Sequence, residues 1–300
     1  MAENPLVALS DHVAALVERV AGATVAVHAG RSWSSGIHWR SGVIVTAEEV
    51  LDRDDDIKVV LAGGREVVAT LAGRDPTTDV AVLRFQPDGL PAAETADSGS
   101  LRPGHLVLAV GGHRGDPVAN LGSVAFVGGA WMSQRGGSID TLLRLDLTLS
   151  PAAEGGALVD AHGRVLGMVV AGPRGRVLAI PRATIDRAVD QLLAKGYVGR
   201  GYLGASLQPI RRRKDADKRA DMGTDMGVLV VGIDPDGPAA RAGLIVGDIV
   251  TAWNAAPIGR VREVMRLLGP DSVGNAVDLA LSRGGAATAL KIVIGERPRH

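Results

Sequence analysis

The sequence contains no cysteine. Disulfides, thiolate metal sites and cysteine nucleophiles are therefore excluded. Aromatic residues are nearly as scarce, with four Trp, two Tyr and two Phe in 300 residues. Any core must be built from Val, Leu, Ile and Ala. Neither sign of charge is in excess, because 33 basic residues balance 33 acidic ones. That balance removes the whole-chain electrostatic case for nucleic acid or an anionic membrane as a partner. No run approaches the roughly 18 to 20 apolar residues that a membrane-spanning helix requires. Near the start, Glu3, Asp11, His12, Glu18 and Arg19 interrupt the apolar residues. A secretory leader needs a basic segment followed by a continuous apolar one. The expectation is thus a cytoplasmic chain as it stands, or a periplasmic or other extracytoplasmic one if a leader has been trimmed.

What the chain does have is glycine and proline, 40 and 15 residues, and a hydrophobic fraction of 46%. These belong to a globular protein rich in tight turns, and the length fits two domains. Val13, Leu16, Val17 and Val20 have helical spacing, with Ser10 or Asp11 as N-cap, over a segment 1–21. From 22 to 182, short apolar runs are broken every few residues by Gly, Pro, Asp or Ser. The runs at 24–28, 42–46, 57–61, 67–71, 80–85, 106–110, 122–127, 142–147, 156–159, 165–170 and 177–180 read as strands of an all-β barrel or sandwich. A helix over 182–195, capped by Gly196, and a linker close this part at 183–200. The remainder, 201–297, mixes strands at 205–207, 227–233, 249–253, 277–281 and 290–294 with helices at 238–242 and 261–268. It reads as a compact α+β module. The charge run at 211–221 mixes both signs and reads as a solvated loop.

Seven segments occur in an order that resembles the HtrA/DegP family. They are SGVIVTAEEV (41–50), GRDPTTDVAVLRF (73–85), LRPGHLVLAVG (101–111), DLTLSPAAEGGALVDAHGRVLGM (146–168), LAIP (178–181), GRGYLGASLQPI (199–210) and GPAARAGLIVGDIVTAWN (237–254). The resemblance implies a mainly β fold: a chymotrypsin-like double β-barrel over 22–182, with barrels at about 22–98 and 99–182, followed by an α+β PDZ domain. It also implies a catalytic His, Asp and Ser. At the positions that match the family's motifs this chain has Glu49, Asp79 and Glu154, and the loop around the nucleophile reads Pro151-Ala152-Ala153-Glu154-Gly155-Gly156.

Serine-protease chemistry needs a hydroxyl that can lose its proton and an imidazole that takes it and delivers it to the leaving amine. Glu154 has no hydroxyl. Asp79 has no imidazole to orient, since Glu49 stands in its place. Ala152 replaces the glycine whose N–H, by resemblance, helps bind an oxyanion together with the loop at Ala153 and Gly155. None of the seven histidines falls in the TAEEV segment, and Ser150 reads as a turn residue. The reading is a pseudoprotease without a cofactor. Three carboxylates at one cleft must either hold a proton through a raised pKa, enclose a cation such as Ca²⁺ or Mg²⁺, or turn away to solvent.

In the second domain the resemblance makes Tyr202, Leu203 and Gly204 the loop that captures a peptide's C-terminal carboxylate, with Ala205 and Leu207 on the strand that pairs with the peptide. Val264 and Met265 share a face of the 261–268 helix, as the groove's other wall or as core. The expected partners are proteins or peptides with an apolar C-terminus. Self-association is left open, because residues 1–20 lack the aromatics through which the family trimerises. The expected role is a scaffold, chaperone or regulator acting through the PDZ domain. The alternative is an active peptidase that uses other groups or is activated by a partner.

Overall fold

The computed structural model describes residues 4–30, 32–87, 89–210 and 227–298. The charge run at 211–221 and His300 lie outside them. The chain divides into two compact units, Met1–Val198 and Gly199–His300.

The first unit begins with α1 (Pro5–Ala21), which starts earlier than its apolar spacing predicts. The N-cap is Asn4, not Ser10 or Asp11: its side-chain oxygen accepts the Leu6 N–H at 3.0 Å, and Pro5 presets the first helical φ. Only Leu16 and Val20 of this helix are buried. Six strands follow, β1 (Thr24–His28), β2 (Trp33–Arg40), β3 (Val43–Thr46), β4 (Ile57–Leu61), β5 (Glu66–Asp75) and β6 (Val80–Arg84). They close into a barrel in the order β1-β2-β3-β6-β5-β4, filled by Val25, Val27, Ile44, Val59 and Leu83.

The second barrel uses β7 (Leu106–His113) and β8 (Asp116–Gly128), then, past the short pair β9 (Trp131–Met132) and β10 (Ser138–Ile139), β11 (Leu142–Asp146), β12 (Ala157–Val159), β13 (Val165–Gly172) and β14 (Arg176–Pro181). Its order is β11-β14-β13-β12-β7-β8, again closed. The β7–β8 hairpin is longer than its apolar runs predict. Arg114 and Gly115, with φ of 53° and 102°, make a two-residue turn that pairs His113 with Asp116 and extends both strands. A third cluster, including Ile37, Val45, Val110, Met168 and Ile180, joins the barrels. It also takes Ile185, Val189 and Leu192 from α2 (Arg182–Lys195), whose predicted cap Gly196 has φ 78° and donates to the Leu192 carbonyl at 2.9 Å.

β2 escaped prediction. Its Ser34, Ser35 and His38 break any apolar pattern, yet six of its eight residues are buried because it lies between its own barrel's interior and the other barrel. Ser34 Oγ donates to Val27 O, Ser35 Oγ to Ala152 O, and His38 Nδ1 lies against Pro91 O.

The second unit contains β15 (Gly201–Tyr202), β16 (Ala205–Pro209), β17 (Val228–Ile233), α3 (Pro238–Arg241), β18 (Ile249–Trp253), β19 (Ala256–Pro257), α4 (Val261–Leu267), β20 (Ala276–Arg283), β21 (Ala286–Val293) and β22 (Gly295–Glu296). The sheet runs β16-β17-β18-β20-β21, with β19 beside β18 and β16 at one edge. Its core holds Val228, Val230, Val250, Trp253, Val264 and Leu279. Asp248, 1% exposed, anchors the turn into β18 by accepting from both Nε and Nη2 of Arg283 at 2.8 Å. The whole is mainly β, two six-stranded antiparallel barrels followed by the smaller module, as the sequence predicts.

Candidate functional site

In the first unit the loop 150–156 lies between the barrels and is stitched to both. Ser35 of β2 donates its N–H to the Glu154 carbonyl at 2.8 Å and its hydroxyl to the Ala152 carbonyl at 2.5 Å. The same hydroxyl accepts the Gly112 N–H from β7 at 2.9 Å. Gly155 has φ 79°, and a Cβ there would lie 2.4 Å from the Ser35 carbonyl oxygen. The glycine is therefore required by the joint between the barrels, whatever chemistry the loop carries.

The loop's own N–H groups are mostly spent. Ala153 donates to Ser150 O at 2.9 Å, Glu154 to Pro151 O at 3.3 Å, Gly155 to Val169 O at 2.9 Å and Gly156 to Ala153 O at 3.0 Å. Between Pro151 and Gly156, only Ala152 has an N–H without an acceptor among the described residues. Residues 151–153 form a 3-10 turn, so Ala152 sits in ordinary right-handed geometry without a positive φ. Ser150 is the N-cap of that turn, in keeping with its predicted turn role.

Glu49, Asp79 and Glu154 meet at this joint. The Glu49 N–H donates to Asp79 Oδ1 at 3.0 Å, and Asp79 itself adopts φ 59°. Burial pushes the Asp79 carboxyl up to about 7, helped by the neighbouring Glu49 and Glu154 carboxylates and opposed by the N–H groups of Glu49 and Glu48. Glu49 is also raised, first by burial and then by the neighbouring Glu154 carboxylate. Glu154 Oε1 accepts the Ala171 N–H of β13 at 2.9 Å. Among the described residues no group of three or more His, Asp or Glu side chains is arranged to hold a metal ion.

Next to the acids lies a cavity of about 360 Å³ whose lining includes Glu49, Asp79, Trp131, Arg135, Val170 and Ile180. Sequence reasoning missed Arg135. It reaches Glu48 at 3.0 Å, alongside Arg74 at 3.1 Å, and its charge partly offsets the acids. No sequence pattern marks it, because the contact joins two loops far apart in the chain.

The described histidines take other roles. His38 is buried, with Nδ1 2.9 Å from Pro91 O and its ring edge-on to Phe85. His28 lies against Trp33 with the rings tilted by 38°, and His113, half-buried, meets the same ring edge-on. His12 contacts Ala161 O, and the backbone of His162 accepts from Arg19.

The loop in the second unit has the opposite polarity. Its carbonyls point inward: Leu203 O accepts from Ala239 at 2.8 Å and Gly204 O from Asp234 at 2.9 Å. The N–H groups of Leu203 and Gly204 have no acceptor among the described residues. Gly204 takes φ 74°, and Tyr202 fixes the loop by donating its hydroxyl to Asp234 at 2.7 Å. β16, beginning at Ala205, pairs only with β17 among the described strands, leaving its other edge open. Ala205 and Leu207 are half-buried against the core together with Val261 and Leu268. Val264 is 1% exposed and belongs to the core, whereas Met265 is 42% exposed. The helix pair predicted for the groove thus splits into a buried floor residue and an exposed one.

Comparison with known families decides the relationship. Residues 34–168 match a trypsin-like peptidase domain, and residues 201–294 match a PDZ domain. The chain carries the trypsin-like and PDZ domains of the HtrA/DegP family. A probable periplasmic DegP-like serine endoprotease of Halomonas elongata is 34% identical over 276 residues, 89% of this chain and 57% of that protein. One from Pseudomonas fulva is 32% identical, with 86% of this chain and 54% of that protein covered. The chain thus spans little more than half the length of these curated HtrA/DegP relatives. Among solved structures, the HtrA-type protease AlgW with a decapeptide matches at TM-score 0.79 and 26% identity, over 96% of this chain and 99% of that one. A serine endoprotease from Yersinia pestis matches at TM-score 0.75 and 29% identity, over 94% and 97% of the two chains. Among the described residues no helix is long and apolar enough to cross a membrane.

Proposed function

We propose that this HtrA-type chain is a pseudoprotease that binds peptides through its PDZ domain and does not cleave them. The observation that carries the first half is the hydrogen bonding of the 150–156 loop. An oxyanion hole needs converging N–H donors, and here the N–H groups of Ala153, Glu154, Gly155 and Gly156 all donate within the protein. The side chains point the same way. At the positions aligned by resemblance with the family's His, Asp and Ser, Glu49, Asp79 and Glu154 supply neither imidazole nor hydroxyl. The upward shifts of the Asp79 and Glu49 carboxyls support the raised-pKa reading of the cluster over the cation and solvent-facing ones. Casein digestion tests the proposal: no cleavage above buffer is expected, and cleavage by the purified chain restores the rival reading of a peptidase using non-standard groups.

The binding half rests on the open N–H groups of Leu203 and Gly204. They face a ligand's terminal carboxylate while the peptide adds a strand along Ala205 and Leu207, over Val264 and beside Met265. A peptide array printed with free and amidated C-termini is the test. Free termini ending in an apolar residue bind at least tenfold tighter; equal binding of both forms removes carboxylate capture. Through such binding the protein acts as a scaffold, chaperone or regulator. Its likeness to relatives described as periplasmic supports the extracytoplasmic of the two compartments considered. Cell fractionation with an antibody to the chain distinguishes them.

A further inference from the structure

The open edge of β16 has a definite end. Val230 of β17 turns its N–H to Asp248 O at 2.8 Å, and its carbonyl accepts from Gly247 at 2.9 Å, so both its polar groups face β18. In an antiparallel pair, a residue facing away from its partner strand lies opposite one that also faces away. Val230 is paired with Leu207. The Leu207 N–H and carbonyl therefore point to the open edge. The residue period of two places Ala205 and Pro209 on that edge as well, and Ser206 and Gln208 toward β17. The register irregularity in this pair inserts its extra residue, Val231, in β17 and leaves β16 regular.

Pro209 has no N–H to give at its edge position, and its ring occupies the place of the hydrogen. A peptide held by its carboxylate at Leu203 and Gly204 lays its last residue beside Ala205. It exchanges two hydrogen bonds with Leu207 at the third residue from the end. At the fifth residue it meets Pro209, where one of the next two bonds cannot form. We propose that Pro209 makes this a short-reading site, specific for about the last four residues of an extended peptide with a free carboxylate. The inference rests on the PDZ reading above and adds a length limit to it. The same proline blocks edge-to-edge pairing with another strand.

The experiment is a calorimetric titration of the full chain with tetra-, hexa- and octapeptides that share one apolar C-terminal sequence. Each is made with a free and an amidated terminus. With free termini, the tetrapeptide and octapeptide bind within about twofold of each other. Pro209→Ala tightens the octapeptide relative to the tetrapeptide by about fivefold, the worth of one restored hydrogen bond. An octapeptide that binds the unmodified chain tenfold tighter than the tetrapeptide overturns the length limit while leaving carboxylate capture standing. Equal binding of free and amidated tetrapeptides overturns the capture itself. If Pro209→Ala does not fold, the length series on the unmodified chain still decides.

Discussion

The barrel joint and the groove beside β16 use the same material in opposite ways. Each has a glycine-containing loop, Ala152–Gly156 in one and Tyr202–Gly204 in the other. In the barrel loop the N–H groups of Ala153, Glu154, Gly155 and Gly156 are consumed by neighbouring carbonyls, and only that of Ala152 is left without an acceptor among the described residues. In the PDZ loop the carbonyls are consumed and the N–H groups are left outward. A row of free N–H groups binds an anion, whether transient or resident. Two adjacent N–H groups, those of Leu203 and Gly204, thus stand open in one loop and a single one, that of Ala152, in the other, and the proposed function rests on that difference. Side-chain identity alone does not express that difference.

The contrast is broken most strongly by rebuilding the barrel loop. Glu49→His with Glu154→Ser restores a base and a nucleophile but leaves the N–H groups spent. Adding Ala152→Gly relaxes the turn, and the triple variant should hydrolyse casein about 100-fold faster than the double variant, the usual effect of an oxyanion donor. Equal rates in a fluorogenic casein assay show that the donors were never limiting.

Next in size is Gly155→Ala, which forces a Cβ to within 2.4 Å of Ser35 O at φ 79°. The first unit should lose about 3 kcal/mol or more, read from chemical denaturation. A loss under about 1 kcal/mol means that the joint yields easily and is not the rigid partner of the comparison.

A smaller effect follows from the acids. The Asp79 carboxyl titrates at about 7 in the folded chain against 3.8 ordinarily, so the folded state binds the extra proton between those values. Its contribution to stability is fully present below the unfolded value and is lost as pH rises through about 7. The melting temperature of the first unit should therefore fall between pH 5 and pH 8 by an amount that Asp79→Asn reduces. An unchanged slope in that variant assigns the pH dependence to other groups. The smallest effect is in the groove. Tyr202→Phe removes the bond to Asp234 and, by loosening the loop, should weaken tetrapeptide binding by about fivefold. No change in titration separates the loop's order from that hydroxyl.

Much of this architecture was legible in the sequence. β1, β4, β18 and α2 occupy the predicted residues, because each is a compact apolar run or stripe closed by a turn former such as Gly196. The convergence of Glu49, Asp79 and Glu154 was legible through resemblance and not through spacing, since 30 residues separate the hydrogen-bonded Glu49 and Asp79. β2 was not legible, because Ser35 and His38 are buried by partners such as Gly112 and Pro91 that no local pattern announces. The start of α1 was missed because the cap depends on Asn4 and Pro5, which precede the apolar stripe. The direction of each loop's N–H groups was illegible for a deeper reason. It is decided by which carbonyl lies nearby, a property of the closed barrel and not of the residue.

Ser35 has a mechanical consequence. Through one residue it binds Glu154 O, Ala152 O and the Gly112 N–H, so it acts as a rivet through three plates. The barrels cannot draw apart without tearing the 152–154 turn out of shape. A fluorescent label in place of Glu154 would then work as a strain gauge, its signal tracking the gap between the barrels as the chain is heated, pulled or loaded with a partner.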